Sequence, residues 1–352
     1  MNGSRPKRVI FPIGLLIALV FAATAMAGSQ SQASGAQSKL FVAYSDGTCG
    51  NSWRTTVRAE FEHDAKRNPA IGKVVYKCAQ GKLNQQIADI QSLTSQGVDI
   101  LILFADPGEA LLPAVRAATR RGVTVVPWNA PVGGTAGKDY AAYVGFSIRD
   151  QAVHYAKYLA KALRGNGNVV GVGGPAGNTY DSAHISVMKA YWKKNTPGIK
   201  FLELAPADWA PGPSAKAMAT LLTKYPKIDG VWTPEATTVK PELDQFLLAK
   251  RPAPAFTSLD VNGMMRDCLK LKPKNPTLQW GFVSALTWGV RNALQVGLQA
   301  EAGRPINKKL LTLQNYMSDC ATACKKLYRK DMPDAYIPTT KVPPAIMKKY
   351  LK

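Results

Sequence analysis

The chain has 352 residues, of which 46% are hydrophobic, so it is long enough for two domains with substantial cores. Its formal net charge of +22 is of the kind that suits nucleic acid, an anionic membrane surface or an acidic ligand. The lysines and arginines are scattered along the chain without a dense basic block, so we interpret them as a solvated surface.

Residues 1–27 have the pattern of a secretory signal peptide. Basic residues precede an apolar run at 10–23, and a small-x-small sequence follows at 25–27. An uncleaved anchor is the alternative, although the run is short of the roughly 20 residues that span a bilayer. We expect the mature chain to begin near Gly28 with a flexible leader to residue 38. No lipid-attachment cysteine stands directly after the cleavage site, which favours the periplasm. Export argues against nucleic-acid binding.

Short apolar runs then alternate with helical patterns along the chain. The first series predicts strands at 40–44, 73–76, 99–104 and 122–126, with helices at 53–67, 83–93 and 109–121. The second series predicts strands at 168–172, 199–204, 228–232, 255–259 and 277–283, with helices at 150–163, 183–194, 218–225 and 285–302. Such alternation indicates an α/β fold with two doubly wound parallel-sheet lobes.

Aromatic and polar residues follow several of these strands. The candidate ligand contacts at these positions are Asn51, Trp53, Asn129, Tyr180, Trp209, Glu235, Asp260 and Asn262. Ligands of open parallel sheets bind beyond the carboxyl ends of the strands, so these side chains should meet at one edge. Indole rings suit the C–H faces of a sugar, and amides and carboxylates suit its hydroxyls. Each residue alone also fits a turn, a helix cap or core packing; the signal is their joint placement.

The sequence offers little for catalysis, cofactors or metals. The glycine-rich turn at 173–177 lacks the pattern of a phosphate loop, and no G-x-S-x-G or H-E-x-x-H motif is present. The three histidines fall on separate predicted helices. We therefore predict no enzyme activity, no cofactor and no metal. A glycosidase using Glu235 and Asp260 as paired carboxylates is the enzymatic alternative.

Five cysteines in an exported chain permit disulfides but leave at least one thiol unpaired. Cys49 and Cys78 each follow a neighbouring strand, which favours their pairing. Cys320 has two alternatives, Cys324 or Cys268.

Taken together, these motifs resemble the type I periplasmic solute-binding proteins of sugar ABC transporters, in the ribose-binding-like group. The resemblance rests on ordered segments from about residue 40 to 313: GNSWR (50–54), GVDILILFADPGEAL (97–111), RGVTVVPWNAP (121–131), AYVGFSIRDQAVHYAKYLAKAL (142–163), PADWAP (206–211), LLTKYPKIDGVW (221–232) and SLDVNG (258–263). It implies two lobes joined by a three-segment hinge that closes on a solute.

The resemblance also implies roles for single residues. Asn51, Trp53, Trp209 and Asp260 match the family's binding positions, whereas Asn129 replaces an Asp and Glu235 an Asn-Asp pair. The family's sugar-gripping Arg on the helix after residue 177 is absent, and His184 or Ser186 stands at that register. The usual Gln after the last crossing is absent or shifted. Arg54 is the one strong candidate to pair with a carboxylate ligand.

We therefore expect an extracytoplasmic binding protein that delivers a monosaccharide or polyol to an ABC permease, acting as a monomer. The first lobe should comprise residues 39–146 and 284–305, and the second residues 147–283 and 306–352. The alternatives are a sensing partner of a chemoreceptor or sensor kinase and a binding protein for a non-sugar solute, such as an amino acid, a nucleoside or an acidic compound.

Overall fold

A computed structural model describes residues 38–313 and 317–351. The predicted signal peptide (1–27) and residues 28–37 of the predicted leader lie outside the described residues. Lys39–Lys352 cluster into a single structural unit. Within the described ranges, no helix has both the length and the apolar character that crossing a membrane requires.

The first half of the chain alternates strands and helices, as the sequence predicts. Its elements are β1 (Leu40–Asp46), α1 (Ser52–Arg67), β2 (Ile71–Cys78), α2 (Leu83–Ser95), β3 (Ile100–Phe104), α3 (Leu112–Arg120), β4 (Thr124–Pro127), β5 (Tyr143–Phe146), α4 (Ile148–Ala162), β6 (Asn166–Gly173) and α5 (Thr179–Asn195). The predicted helix at 109–121 divides into a 3-10 turn at Gly108–Leu111 and α3, which carries Pro113 in its first turn.

The second half continues this alternation and ends in a helical tail. Its elements are β7 (Gly198–Pro206), α6 (Pro211–Lys224), β8 (Gly230–Trp232), α7 (Val239–Leu248), β9 (Ala255–Leu259), α8 (Asn262–Leu271), β10 (Gln279–Val283), α9 (Gly289–Glu301), β11 (Lys309–Thr312), β12 (Ser318–Asp319), α10 (Cys320–Leu327) and α11 (Pro344–Tyr350). The predicted helix at 285–302 begins later, at Gly289, because residues 284–288 form a connection between the lobes.

Two parallel sheets organise the lobes. The first lobe has the strand order β2-β1-β3-β4, and a bridge between Trp128 and Val144 continues it to the β5–β11 pair. The second lobe has the order β12-β10-β9-β8-β6-β7, in which only β12 is antiparallel to its neighbour. Both lobes are therefore open sheets whose strand ends can carry a ligand site.

Alternate residues of each central strand face different cores. In β1, Val42 and Tyr44 pack into one apolar cluster, whereas Phe41 and Ala43 pack into the cluster on the other face. In β6, residues 170 and 172 pack on one face and residue 169 on the other. Burial of both faces explains why these strands read as continuous apolar runs in the sequence.

The contacts at the C-terminus differ from the predicted lobe boundaries. β11 pairs with β5 in the first lobe, although the sequence assigned residues 306–352 to the second. In the tail, the Asn262 side chain binds residues 329–333 in the second lobe, and the backbone N–H of Lys341 donates to Glu60 on α1. The tail thus contacts both lobes, and the pairing of β11 with β5 extends the first lobe beyond residue 305, where the sequence predicted the third crossing.

Candidate functional site

Trp53 lies at the start of α1, at the edge of the first lobe where the strands end. Its indole stacks on Trp128 with centroids 5.5 Å apart and planes 8° apart, and it meets Phe104 edge-on. The indole N–H donates to the Ala285 carbonyl at 2.9 Å, and Ala285 belongs to the connection between the lobes. Trp53 therefore contacts the cores of both lobes.

Arg54 is held in place by acidic partners. Its guanidinium pairs with Asp46 and with Asp106, each at 2.6 Å, and lies 3.5 Å from the centroid of the Phe104 ring. Burial raises the pKa of Asp46 to about 6, and the adjacent Arg54 opposes that rise. Two carboxylates thus already neutralise Arg54, which leaves it poorly suited to pair with an acidic ligand.

Asn51 and Asn129 occupy different surroundings. The exposed Asn51 caps α1, because its side-chain oxygen accepts the Arg54 backbone N–H at 2.8 Å. Asn129 has a left-handed backbone with φ of 60°, and its N–H donates to the Val144 carbonyl. Asn51 thus has the capping role that the sequence left open, and the half-buried Asn129 remains a candidate contact.

His184 is the centre of an aromatic group at the edge of the second lobe. It is fully buried between Tyr180 and Trp232, with ring centroids 4.2 and 5.6 Å away. Its Nδ1 lies 2.8 Å from the Tyr180 carbonyl oxygen, and its Nε2 lies 2.8 Å from the side-chain oxygen of Gln151. Burial lowers the pKa of His184 to about 4, so the imidazole is neutral at pH 7.

Trp209 joins this group through a strained turn. Asp208 and Trp209 have φ values of 53° and 50°, which non-glycine residues seldom adopt. The Trp209 ring meets Tyr180 edge-on at 6.5 Å. A Cβ on Gly174 would overlap that ring, which explains the glycine in the turn after β6. The half-buried indole of Trp209 is therefore held beside Tyr180.

The three remaining predicted contacts make hydrogen bonds within the chain. Glu235 caps the turn at Ala236–Thr238 by accepting from the backbone N–H and hydroxyl of Thr237, and burial raises the pKa of Glu235. The fully buried Asp260 accepts the backbone N–H groups of Ala285 and Thr339. Burial raises the pKa of Asp260 to about 6 against those hydrogen bonds. Asp260 therefore ties a lobe connection to the tail.

Asn262 serves the tail as well. Its amide nitrogen lies within hydrogen-bond distance of the carbonyls of Arg329, Met332 and Pro333, and its oxygen accepts the Arg329 N–H. These bonds occupy both polar atoms of a side chain that is 1% exposed. Asn262 therefore holds the tail against α8, and its contact with a ligand stays a prediction.

Sequence reasoning missed a set of buried polar atoms close to His184. The Tyr155 hydroxyl, the Trp232 indole N–H and the Thr257 hydroxyl are buried without a hydrogen-bond partner among the described residues. The Tyr155 ring packs beside His184 and Trp232, and Thr257 is the β9 neighbour of Trp232. Since buried polar atoms are normally paired, these atoms are candidates to bind a solute or water. Tyr155 lies on the apolar face of α4, so its sequence context indicated only core packing.

Six of the ten predicted contacts thus fall into two groups at strand ends. Trp53, Arg54 and Asn129 belong to the first lobe, and Tyr180, His184 and Trp209 belong to the second. A pocket of about 630 Å³ lies elsewhere, between α1, β2 and α11, and none of the predicted contacts lines it. Both groups present aromatic rings. Their polar side chains are either neutral, as in His184, or form ion pairs within the chain, as in Arg54.

Residues 42–293 match the family model described as "Periplasmic binding protein domain". The chain is 26% identical over 160 residues to the xylitol-binding protein of Mycolicibacterium smegmatis, covering 45% of each chain. It is 26% identical over 175 residues to the D-xylose-binding periplasmic protein of Escherichia coli, covering 47% of this chain and 51% of that one. The matched part thus spans about half the length of these curated relatives.

The fold is similar to that of a solved ABC transporter solute-binding protein from Thermobispora bispora. The TM-score is 0.69 at 25% sequence identity, and the alignment covers 85% of this chain and 90% of that one.

Proposed function

This chain belongs to the periplasmic binding protein family, and on that premise we propose that it binds a neutral sugar or polyol outside the cytoplasm and delivers it to an ABC importer. The fold is the two-lobed α/β architecture of the type I group. The names of a xylitol-binding and a xylose-binding relative support the solute class.

The main support for this proposal is that Arg54 is paired with carboxylates and His184 is neutral. Asp46 and Asp106 pair with Arg54, so the cation that an acidic solute needs is already neutralised. The His184 imidazole is uncharged at pH 7, because burial lowers its pKa to about 4. A neutral polyhydroxyl compound would avoid an unpaired buried charge, whereas a carboxylate near Arg54 would face the carboxylates of Asp46 and Asp106.

The aromatic groups would supply the contact with the solute. Trp53 and Trp209 offer apolar faces for the C–H surfaces of a sugar ring, and Asn129 and Glu235 offer hydrogen bonds to hydroxyls. The orphaned Tyr155 hydroxyl and Trp232 indole N–H would donate to the solute in the second lobe. Closure of the lobes would then shift the protein to the form that the permease recognises.

A thermal-shift screen of residues 28–352 tests the solute class. A ligand at 100 times its Kd stabilises the native state by about 2.7 kcal/mol. We expect a rise in Tm with D-xylose, xylitol or another neutral sugar, and none with D-xylonate or glycine. A rise only with the acid or amino acid would overturn the proposal, as would chemical conversion of the recovered sugar.

A matched pair of tyrosines tests the site. Tyr180 and Tyr191 are both half-buried on α5, at its beginning and near its end. Tyr180→Ala should weaken binding of the neutral solute at least about tenfold, equivalent to 1.4 kcal/mol. Tyr191→Ala should leave the Kd unchanged. Equal effects of the two substitutions on Kd would place the solute elsewhere.

The cellular location is a separate part of the proposal. We propose that residues 1–27 direct export and are removed, which places the protein in the periplasm. N-terminal sequencing of the protein recovered from the periplasmic fraction should begin near Gly28. A chain that keeps Met1 and fractionates with the membrane would support an uncleaved anchor.

A further inference from the structure

Three cysteines of the second lobe lie together beneath its surface. Cys268 on α8 and Cys320 and Cys324 on α10 are each at most 1% exposed, and their sulfur atoms all lie within 4.8 Å of one another. The other two cysteines, Cys49 and Cys78, form a disulfide between the end of β2 and the turn after β1, as the sequence favoured.

The backbone allows Cys320 to pair with either neighbour. The Cα separation is 6.6 Å between Cys268 and Cys320 and 4.8 Å between Cys320 and Cys324. Both values fall within the 4.4–6.8 Å that disulfides usually span. A sulfur forms one disulfide at a time, so either pairing leaves the third cysteine as a thiol beside a disulfide. The backbone therefore accommodates each of the two pairings that the sequence left open.

We propose that Cys268, Cys320 and Cys324 form an internal thiol–disulfide exchange site. The Cys324 thiolate attacks the Cys320 sulfur of the Cys268–Cys320 disulfide. The Cys320–Cys324 bond forms as the Cys268–Cys320 bond breaks, and Cys268 leaves as a thiolate that takes up the proton released by Cys324. The number of thiols and disulfides is unchanged, so the step consumes no oxidant or reductant.

The two pairings constrain different parts of the fold. The Cys268–Cys320 disulfide closes a loop with a sequence separation of 52 residues. This loop contains β10, α9 and β11, and α9 and β11 belong to the first lobe. The Cys320–Cys324 disulfide lies within α10 and encloses none of these elements. Exchange therefore forms or breaks a covalent link between α8 and α10. This link lies next to β12, the last strand of the second sheet.

Peptide mapping tests the exchange. The native protein is held at pH 8.5 at 10 or 40 °C, quenched in acid, unfolded, alkylated with N-ethylmaleimide and digested. We expect two species, one with Cys268–Cys320 and an alkylated Cys324, the other with Cys320–Cys324 and an alkylated Cys268. Their ratio should relax after each temperature change at pH 8.5 and stay fixed at pH 4, where the thiolate is absent. Cys49 and Cys78 serve as the internal control and should remain unlabelled.

Two variants separate exchange from misfolding. Cys324→Ser should hold the Cys268–Cys320 disulfide, and Cys268→Ser should hold the Cys320–Cys324 disulfide. Both should fold, with Cys324→Ser melting at the higher temperature because its disulfide closes the longer loop. One fixed pairing under all conditions would overturn the proposal. Alkylation of all three cysteines together with a bound metal ion would also overturn it, in favour of a thiolate metal site.

Discussion

Replacement of His184 by Gln should remove a defined part of the acid sensitivity of this protein. Burial lowers the pKa of His184 from 6.5 to about 4 in the folded state. Between pH 6.5 and about pH 4, His184 is therefore protonated in the unfolded chain and neutral in the folded chain. The free energy of unfolding falls as the pH falls through this window. A change of 2.5 in pKa corresponds to about 3.4 kcal/mol over the whole window.

Urea unfolding at pH 7.0 and pH 4.5 measures this contribution. Between these two pH values the wild type should lose about 2.4 kcal/mol more than His184→Gln, by the same linkage relation. Burial raises the pKa of both Asp46 and Asp260 to about 6, which acts in the opposite direction as the pH falls. Both groups are present in wild type and variant, so their contribution cancels in the difference.

His63→Gln is the control for a histidine outside the aromatic group. His63 is only half-buried on α1, and burial together with Arg291 lowers its pKa. The control should alter the pH dependence much less than His184→Gln does. Equal pH dependence of wild type and His184→Gln would refute the assignment of a neutral, buried imidazole, as would an NMR titration midpoint of His184 above 6.

Three further substitutions test other parts of the structure. Asn262→Ala should lower the free energy of unfolding by about 2–4 kcal/mol, because tail donors and acceptors lose their partner, while the Kd for a neutral sugar stays unchanged; a large change in that Kd would support the predicted ligand contact of Asn262. Arg54→Met should cost about 3–5 kcal/mol by leaving Asp46 buried and unpaired, and adding Asp46→Asn should recover part of the loss in urea unfolding; no recovery would contradict the pairing. Cys49→Ser should cost about 3–4 kcal/mol in the same assay, since its disulfide with Cys78 closes a separation of 29 residues; a loss below about 1 kcal/mol would mean that this disulfide contributes little.

The sequence was most informative where local pattern decides the structure. The apolar run at 99–104 predicted a buried strand, and β3 is buried throughout at Ile100–Phe104. Trp53 was expected at a helix start beyond the first strand, and it lies in the first turn of α1. Hydrophobic periodicity, turn residues and the alternation of strands and helices along the chain are local signals. They sufficed to predict two doubly wound lobes.

Long-range contacts account for the differences. Asp260 and Asn262 sit in a turn that suggested ligand contact, but they bind backbone groups of a tail about 70–80 residues further along the chain. β11 joins the first lobe through pairing with β5, which no periodicity within residues 309–312 reveals. The acid pair that neutralises Arg54 likewise comes from the ends of two strands that meet only in the fold. Such tertiary partners cannot be read from spacing alone.

Isothermal titration of residues 28–352 with D-xylose, xylitol and D-xylonate tests the central claim most directly. D-Xylonate keeps the hydroxyl pattern of the sugar and adds a carboxylate, so the comparison isolates charge. We predict saturable one-to-one binding of a neutral compound and no binding of D-xylonate. Tight binding of D-xylonate with none of D-xylose or xylitol would contradict the neutral-solute account.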